Sequence, residues 1–248
     1  MPPSRLSSET APEDAARTRP ALDLGPVVVT GGASGLGAAV ARAVAGAGGT
    51  PVVLDVNAAA DGVEHDLVDL SDPRAAEDAV REVAERHGGL GAVVTAAGVD
   101  ACGDLSDVDA AAWDRVVMVN LLGTAAVVRA ALPYLEAVHG RVVTVASTLG
   151  LRALPAATAY CASKFGVVGF TRALAVEVGE RVGVTLLVPG GMRTRFFDDR
   201  DPQFKPGEDA VLQDPDDVAA TVLFALTRPA GSEVRELISL PPGEPSWP

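Results

Sequence analysis

Tyr160 and Lys164 stand four positions apart in TAYCASK, a stretch with no proline and no glycine. In a helix, residues i and i+4 share a face, so the phenol and the ammonium would point into one site. A free tyrosine has a pKa near ~10, and proton transfer near neutrality requires stabilising its phenolate by about 2–3 units, or 3–4 kcal/mol. An ammonium one helical turn away is a charge that favours the phenolate. The pair points to acid–base chemistry.

A second constellation lies near the start. VVVTGGASGLGAAVA runs from a strand into a helix with Gly31, Gly35 and Gly37 at the turn. Glycines there permit a tight reversal and let backbone N–H groups approach a pyrophosphate at the positive end of the helix. Asp55 follows 18 residues beyond Gly37, at the end of the next apolar run. Its carboxylate would accept hydrogen bonds from adenosine ribose hydroxyls and repel a 2′-phosphate. Neither GGASGLG nor LDVNAAAD contains Lys or Arg, so the expected cofactor is NAD(H) in preference to NADP(H).

His65, Asp66, Asp69 and Asp72 in HDLVDLSD suggest a metal site, but a strand running into a helix that starts at Pro73 calls for an N-cap, which Asp72 or Ser71 supplies. The chain has 3 histidines, widely separated, and no metal is expected. Cys102 and Cys161 have no metal-like or redox spacing and read as small buried or half-buried fillers.

These residues need a scaffold. PVVVTG, TPVVLDV, GAVVTAAG, GRVVTVAS and GVTLLVPG are strand-length apolar runs, with a closing strand at Val234–Leu240. Between them, Gly35–Ala47, Pro73–His87, Ala110–Leu135, Ala157–Arg181 and Pro215–Thr227 carry helical spacing. The stretch from Asp55 to VEHDL is too short for a crossover helix, so a loop is expected there. The alternation predicts an α/β fold, one doubly wound parallel sheet in a single domain over residues 25–241. Residues 1–24, rich in Pro, Ser, Ala, Glu and Arg, read as a disordered leader, and 242–248 as an irregular tail.

Of the 248 residues 48% are hydrophobic but only 4% aromatic, so the core is expected to be Ala, Val and Leu packed around glycines. A formal charge of −13 disfavours nucleic acid and anionic membranes as partners. With no signal-like start and no membrane-length apolar run, a cytoplasmic location is expected.

The chain resembles the short-chain dehydrogenases/reductases of about 250 residues, from Val27 to about Leu240. Their TGxxxGxG motif is met by TGGASGLG and their YxxxK by YCASK. The resemblance implies a Rossmann-like fold and a catalytic set of Asn120, Ser147, Tyr160 and Lys164. Ser147 lies 13 residues before Tyr160, Asn120 sits in VMVNLLGT, and PGGMRT supplies Pro189, Gly190 and Thr194 at the nicotinamide end. Further cofactor contacts implied are Gly31, Ser34, Gly35, Leu36 and Gly37 at the turn, with Asp55, Asp69, Leu70, Ala97 and Gly98 along the strand ends. Tyr160 and Lys164 would also touch the nicotinamide ribose. Asn120 is expected to bind a water linking Lys164 to solvent. One departure is TAAG where the family has NNAG, which puts Ala96 in place of an asparagine.

The irregular segment after Gly191 reads as a substrate lid. Ser147, Leu149, Leu154, Met192, Phe196 and Phe197 are the candidate substrate contacts, while Arg152, Arg193 or Arg195 would be available to a carboxylate. The expected activity is reversible hydride transfer between NAD(H) and a secondary alcohol or ketone, with Tyr160 as general acid/base. The alternatives are an NADPH-dependent reductase of a biosynthetic carbonyl, oxoacyl or polyketide in type, and a non-catalytic NAD-binding sensor. Family resemblance also implies a homodimer or homotetramer formed through the two long helices.

Overall fold

Valine is β-branched and fits a pleated surface covered on both sides, and the Val-rich runs pair edge to edge. The computed structural model describes residues 24–229 and 231–247. Its sheet contains β1 (Pro26–Thr30), β2 (Thr50–Asp55), β3 (Glu64–Leu67), β4 (Ala92–Thr95), β5 (Arg141–Val145), β6 (Gly183–Pro189) and β7 (Glu236–Ser239). All seven strands are parallel, in the order β3-β2-β1-β4-β5-β6-β7. Val28 lies beside Val52 on one side and Val93 on the other. Because the order reverses between β1 and β4, the chain leaves these two strands toward opposite faces, and a crevice opens beyond their carboxyl ends.

Helices cover both faces: α1 (Gly35–Gly46), α2 (Pro73–His87), α3 (Ala110–Val117), α4 (Thr124–Val138), α5 (Thr158–Val178) and α6 (Pro215–Leu226). One apolar layer packs Val80 and Val83 of α2, Val127 and Leu135 of α4 and Leu174 of α5 on Val28, Leu54, Val93 and Val184. The opposite layer packs Val40 and Val44 of α1 and Val218 and Val222 of α6 on Val27, Val29, Val94 and Leu187. Glu77 of α2 is buried and takes Arg129 of α4 at 2.6 Å, which ties the two helices at their outer edge.

The N-terminus of α2 is capped by Asp72, whose Oδ1 accepts from the Arg74 and Ala75 N–H groups, at 2.9 and 3.2 Å. Residues 56–63 cross from β2 to β3 without a helix. The long helix expected over Ala110–Leu135 is interrupted: a π-helical turn, Met118–Gly123, separates α3 from α4, and α4 runs on to Val138. Apolar periodicity does not distinguish a π turn from an α turn, because one inserted residue shifts the face without breaking the run. The combined run Ala110–Val138 is long and apolar enough to cross a membrane, but 56% of its most apolar window is buried inside this fold.

The leader assigned to residues 1–24 falls outside the described residues except for Leu24. That residue is buried in the core layer of α1 and α6, so the fold begins before the boundary composition suggested. Leu135 fills the opposite layer with no exposure. Leu135→Ala should cost about 2–5 kcal/mol, read as a lower urea midpoint with an unchanged denaturant slope.

Candidate active site

At the carboxyl ends of the strands lies one cavity of about 1200 Å³. Its floor at one end is the turn between β1 and α1. Gly35 has φ +53°, a left-handed conformation that glycine adopts at no steric cost. At Gly37 the reason is proximity, since a Cβ there would run into the Gly31 carbonyl. A Cβ on Gly31 would in turn stand 2.6 Å from the Ala97 Cα, so the turn packs directly on the segment after β4. Ser34, Gly35, Leu36 and Gly37 present the start of α1, with its unpaired N–H groups and positive dipole end, to the cavity.

Asp55 ends β2 beside this turn. Its Oδ2 accepts from the Ala33 N–H at 3.1 Å and its Oδ1 from the Asn57 N–H at 2.9 Å, which fixes the carboxylate toward the cavity wall. Asp69, Leu70, Ala97 and Gly98 line the same end. Arg115 also lines it and is paired with Asp69 at 3.1 Å.

At the other end α5 brings Tyr160 and Lys164 onto one face, and β5 delivers Ser147 opposite them. The Ser147 Oγ accepts from the Leu149 N–H at 3.2 Å and opens a short 3-10 turn, Thr148–Gly150. Lys164 is only 4% exposed; its Nζ donates to the Val145 carbonyl at 2.9 Å and stands 5.6 Å from the Tyr160 ring centroid. Asn120 sits in the π turn and lies behind the cavity wall. Its Oδ1 accepts from the Val99 N–H at 2.8 Å, and its Nδ2 donates to the Val99 carbonyl at 2.9 Å and to the Ser163 Oγ at 3.0 Å. Ser163 Oγ donates onward to the Tyr160 carbonyl at 2.8 Å. Both hydrogens of the Asn120 amide are therefore committed to protein groups, and the expected water is not held by that nitrogen; the side chain instead braces the end of β4 against α5.

Burial pushes the Tyr160 phenol well above its usual value, a hydrogen bond with Ser147 pulls the other way, and Asp100 raises it while Arg200 lowers it. Burial also brings Lys164 down to about 8, opposed by Asp100. The expectation that Lys164 lowers the tyrosine is thus not met in the protein by itself. Desolvation penalises the phenolate and the ammonium alike, and the ammonium is turned to a carbonyl instead of the phenol oxygen.

Leu149, Leu154, Met192, Phe196 and Phe197 line the cavity together with Tyr160, as do Pro189, Gly190 and Thr194. The Phe196 ring lies 5.6 Å from that of Tyr160, and Phe197 meets Phe196 edge-on at 5.5 Å. Two of the arginines available to a carboxylate are engaged elsewhere. Arg152 donates to the Pro245 and Trp247 carbonyls at 3.1 Å each, and Arg193 pairs with Asp214 at 2.9 Å. Arg195 lines the cavity.

Sequence reasoning missed the end of the chain. Residues 242–247 form turns, and they close one side of the cavity: the Glu244 Oε2 accepts from the Gly191 N–H at 3.0 Å, and Ser246 and Thr148 share a hydroxyl bond of 2.7 Å. No motif signals a contact between two segments 98 residues apart. Asp100 and Arg200 were also missed, although a charged residue immediately after the apolar AAGV was a visible signal for the former.

The suspected metal ligands are dispersed. His65 contacts the Val63 carbonyl, Asp66 pairs with Arg86, Asp69 with Arg115, and Asp72 caps α2. Among the described residues no cluster of His, Cys, Asp and Glu is arranged for a metal ion. The Cys102 thiol donates to Asp100, and burial pushes it up to about 11, away from thiolate chemistry.

Comparison with known proteins gives a consistent result. Residues 26–204 match the family model described as short chain dehydrogenase. D-beta-hydroxybutyrate dehydrogenase of Rhizobium meliloti is 33% identical over 192 residues, 71% of this chain and 74% of that protein. The (2S)-[(R)-hydroxy(phenyl)methyl]succinyl-CoA dehydrogenase subunit BbsD of Thauera aromatica is 33% identical over 217 residues, covering 79% and 87%. A short chain dehydrogenase from Burkholderia cenocepacia solved with NADP superposes with a TM-score of 0.78 at 28% identity, covering 89% of this chain and 98% of that one.

The glycine turn yields a direct test. Gly37→Ala must displace the Gly31 carbonyl, so binding of a nicotinamide dinucleotide, followed by calorimetry, should weaken at least about tenfold while the far-ultraviolet dichroism stays that of the folded protein.

Proposed function

This chain belongs to the short-chain dehydrogenase family, and from that premise we propose that it carries out reversible hydride transfer between NAD(H) and a secondary alcohol or ketone, with Tyr160 as general acid/base. The observation that carries the reading is the shared cavity. Tyr160, Ser147 and Lys164 face one end, and the glycine turn and Asp55 face the other, so a molecule bound along its length would meet both.

The residues present fit a nicotinamide dinucleotide. The absence of side chains at Gly31 and Gly37 lets the turn close on its own backbone and on the segment after β4, which sets helix N–H groups suited to a pyrophosphate at the cavity. Asp55 would hold ribose hydroxyls, Lys164 and Tyr160 the nicotinamide ribose, and Thr194 the carboxamide. When bound, the dinucleotide supplies the hydride acceptor for oxidation and the donor for reduction.

The Ser147 hydroxyl would donate to the substrate oxygen and hold it beside the Tyr160 Oη. In oxidation that Oη removes the hydroxyl proton, and in reduction it returns a proton to the carbonyl oxygen. Leu149, Leu154, Met192, Phe196 and Phe197 exclude water from the reacting carbon and suit an apolar substituent. Both named relatives act, by their names, on hydroxylated substrates, which supports a secondary alcohol here.

NAD(H) is favoured because the Asp55 carboxylate faces the adenosine end and the Arg115 guanidinium there is engaged by Asp69. The Burkholderia structure holds NADP, so the competing reading is an NADPH-dependent carbonyl reductase, and cofactor kinetics separate the two. A homo-oligomer built on α4 and α5 is also proposed. Val138 of α4 and Phe165 and Val176 of α5 are exposed there.

Three outcomes follow. Tyr160→Phe should lower alcohol oxidation by about 10²–10⁴, read at the nicotinamide absorbance, with dinucleotide affinity retained. Because burial holds the Tyr160 proton, oxidation should accelerate as pH rises through neutrality, whereas reduction should keep its rate there and slow only as pH approaches the raised value of the phenol. Asp55→Ala should shift the ratio of kcat/KM for NAD over NADP toward NADP by at least about tenfold; equal use of both cofactors by the unaltered protein would sink the NAD assignment.

A further inference from the structure

An ion pair joins Asp100 and Arg200 at 2.6 Å with side chains only 6% and 17% exposed. It connects segments far apart in the chain. Asp100 directly follows Val99, whose backbone Asn120 grips from both sides, and Arg200 belongs to the loop after β6. The guanidinium carbon lies 4.9 Å from the Phe196 ring centroid and 4.7 Å from that of Phe197, and Phe196 in turn packs on Tyr160. The Arg200 Nη2 donates to Asp100 and its Nη1 to the Phe204 carbonyl at 3.4 Å, while its buried Nε has no acceptor. Asp100 is occupied too, its Oδ1 by the Ala101 N–H at 2.7 Å and its Oδ2 by Arg200 and Cys102.

Burying two charges and leaving a donor unsatisfied stabilises a fold less than apolar packing of the same volume would. What such a pair contributes is a particular arrangement. We propose that Asp100 and Arg200 are positioning residues that clasp the loop after β6 across Tyr160 and keep a balanced pair of charges beside it. The kinetic half of this proposal rests on the oxidoreductase reading above; the clasp itself does not.

The groups facing Tyr160 are Lys164 and Cys161 from α5, Ser147 from the end of β5, Asp100 from the segment after β4 and Arg200 from the loop. Within that set the Asp100 carboxylate opposes the phenolate and the Arg200 guanidinium favours it. Taking away either partner opens the clasp, but the charge left behind has opposite sign in the two cases. A residue that mattered only for packing would move both variants the same way.

The experiment compares the 248-residue chain with its Asp100→Asn, Arg200→Gln and Arg200→Lys variants. Chymotrypsin cuts after aromatic residues, and Phe196, Phe197 and Phe204 report the loop. Cleavage there should accelerate about tenfold or more in Asp100→Asn and Arg200→Gln, and stay near the parent rate in Arg200→Lys. The acid limb of kcat/KM for alcohol oxidation should move to higher pH in Arg200→Gln and to lower pH in Asp100→Asn. Melting temperatures identify a variant that has lost its fold, in which case the Arg200→Lys pattern and the remaining neutral variant decide. Unchanged cleavage in both neutral variants, or acid limbs that move in the same direction, would overturn the proposal. If the parent turns over no alcohol with either cofactor, it is the oxidoreductase reading that fails, and the cleavage rates still decide the clasp.

Discussion

Placing a phenol and an ammonium side by side beneath a protein surface costs each of them the hydration of its charged form. The rest of the site can be understood as the response to that cost. Burial raises Tyr160 and brings Lys164 down to about 8, so neither group is charged as readily as it would be in water. The chain offsets the loss with directed dipoles, the Val145 carbonyl for the ammonium and the Ser147 hydroxyl for the phenol. The same low-dielectric setting makes any nearby charge count for more, which is why Asp100 is held by a guanidinium instead of being left to solvent.

The fold meets this demand by concentrating backbone at one edge of the sheet. Strands β1, β4, β5 and β6 all end there, and the polar groups that a strand leaves unpaired at its end become the lining of the cavity. Two departures from regular geometry make room for chemistry. The glycine turn brings α1 against the segment after β4, where an ordinary side chain would collide. The π turn between α3 and α4 directs the Asn120 side chain inward, where it pairs with both backbone groups of Val99 and ties them to Ser163 on α5. The strand end and the tyrosine are thereby held in a common frame through a buried amide.

Ala96 shows how such a frame tolerates change. Where the family pattern has an asparagine, this chain has an alanine at the end of β4, and the neighbouring Ala97 N–H is satisfied at 3.2 Å by the Thr30 hydroxyl across the β1–β4 pair. The chain thus binds the two central strand ends through a threonine, and Ala96 presents a small apolar side chain to the cavity.

Much of this molecule was legible in the linear chain because the responsible interactions are local or periodic. Alternating Val-rich and Ala-rich runs determined a parallel α/β sheet, since buried strands and amphipathic helices have different repeats. The i to i+4 spacing determined that Tyr160 and Lys164 share a face, and Gly35 and Gly37 marked the turn because only glycine fits it. Only the tertiary structure decided what Asn120 holds, that the π turn exists, that residues 242–247 close the cavity, and that Asp100 meets Arg200. Those outcomes depend on contacts between distant segments, whose geometry follows from how helices and sheet pack and leaves no period in the sequence. Even the electrostatics of the tyrosine belonged to this second class. The lysine one turn away was visible in the chain, but the desolvation that raises the tyrosine arises only when the whole fold excludes water.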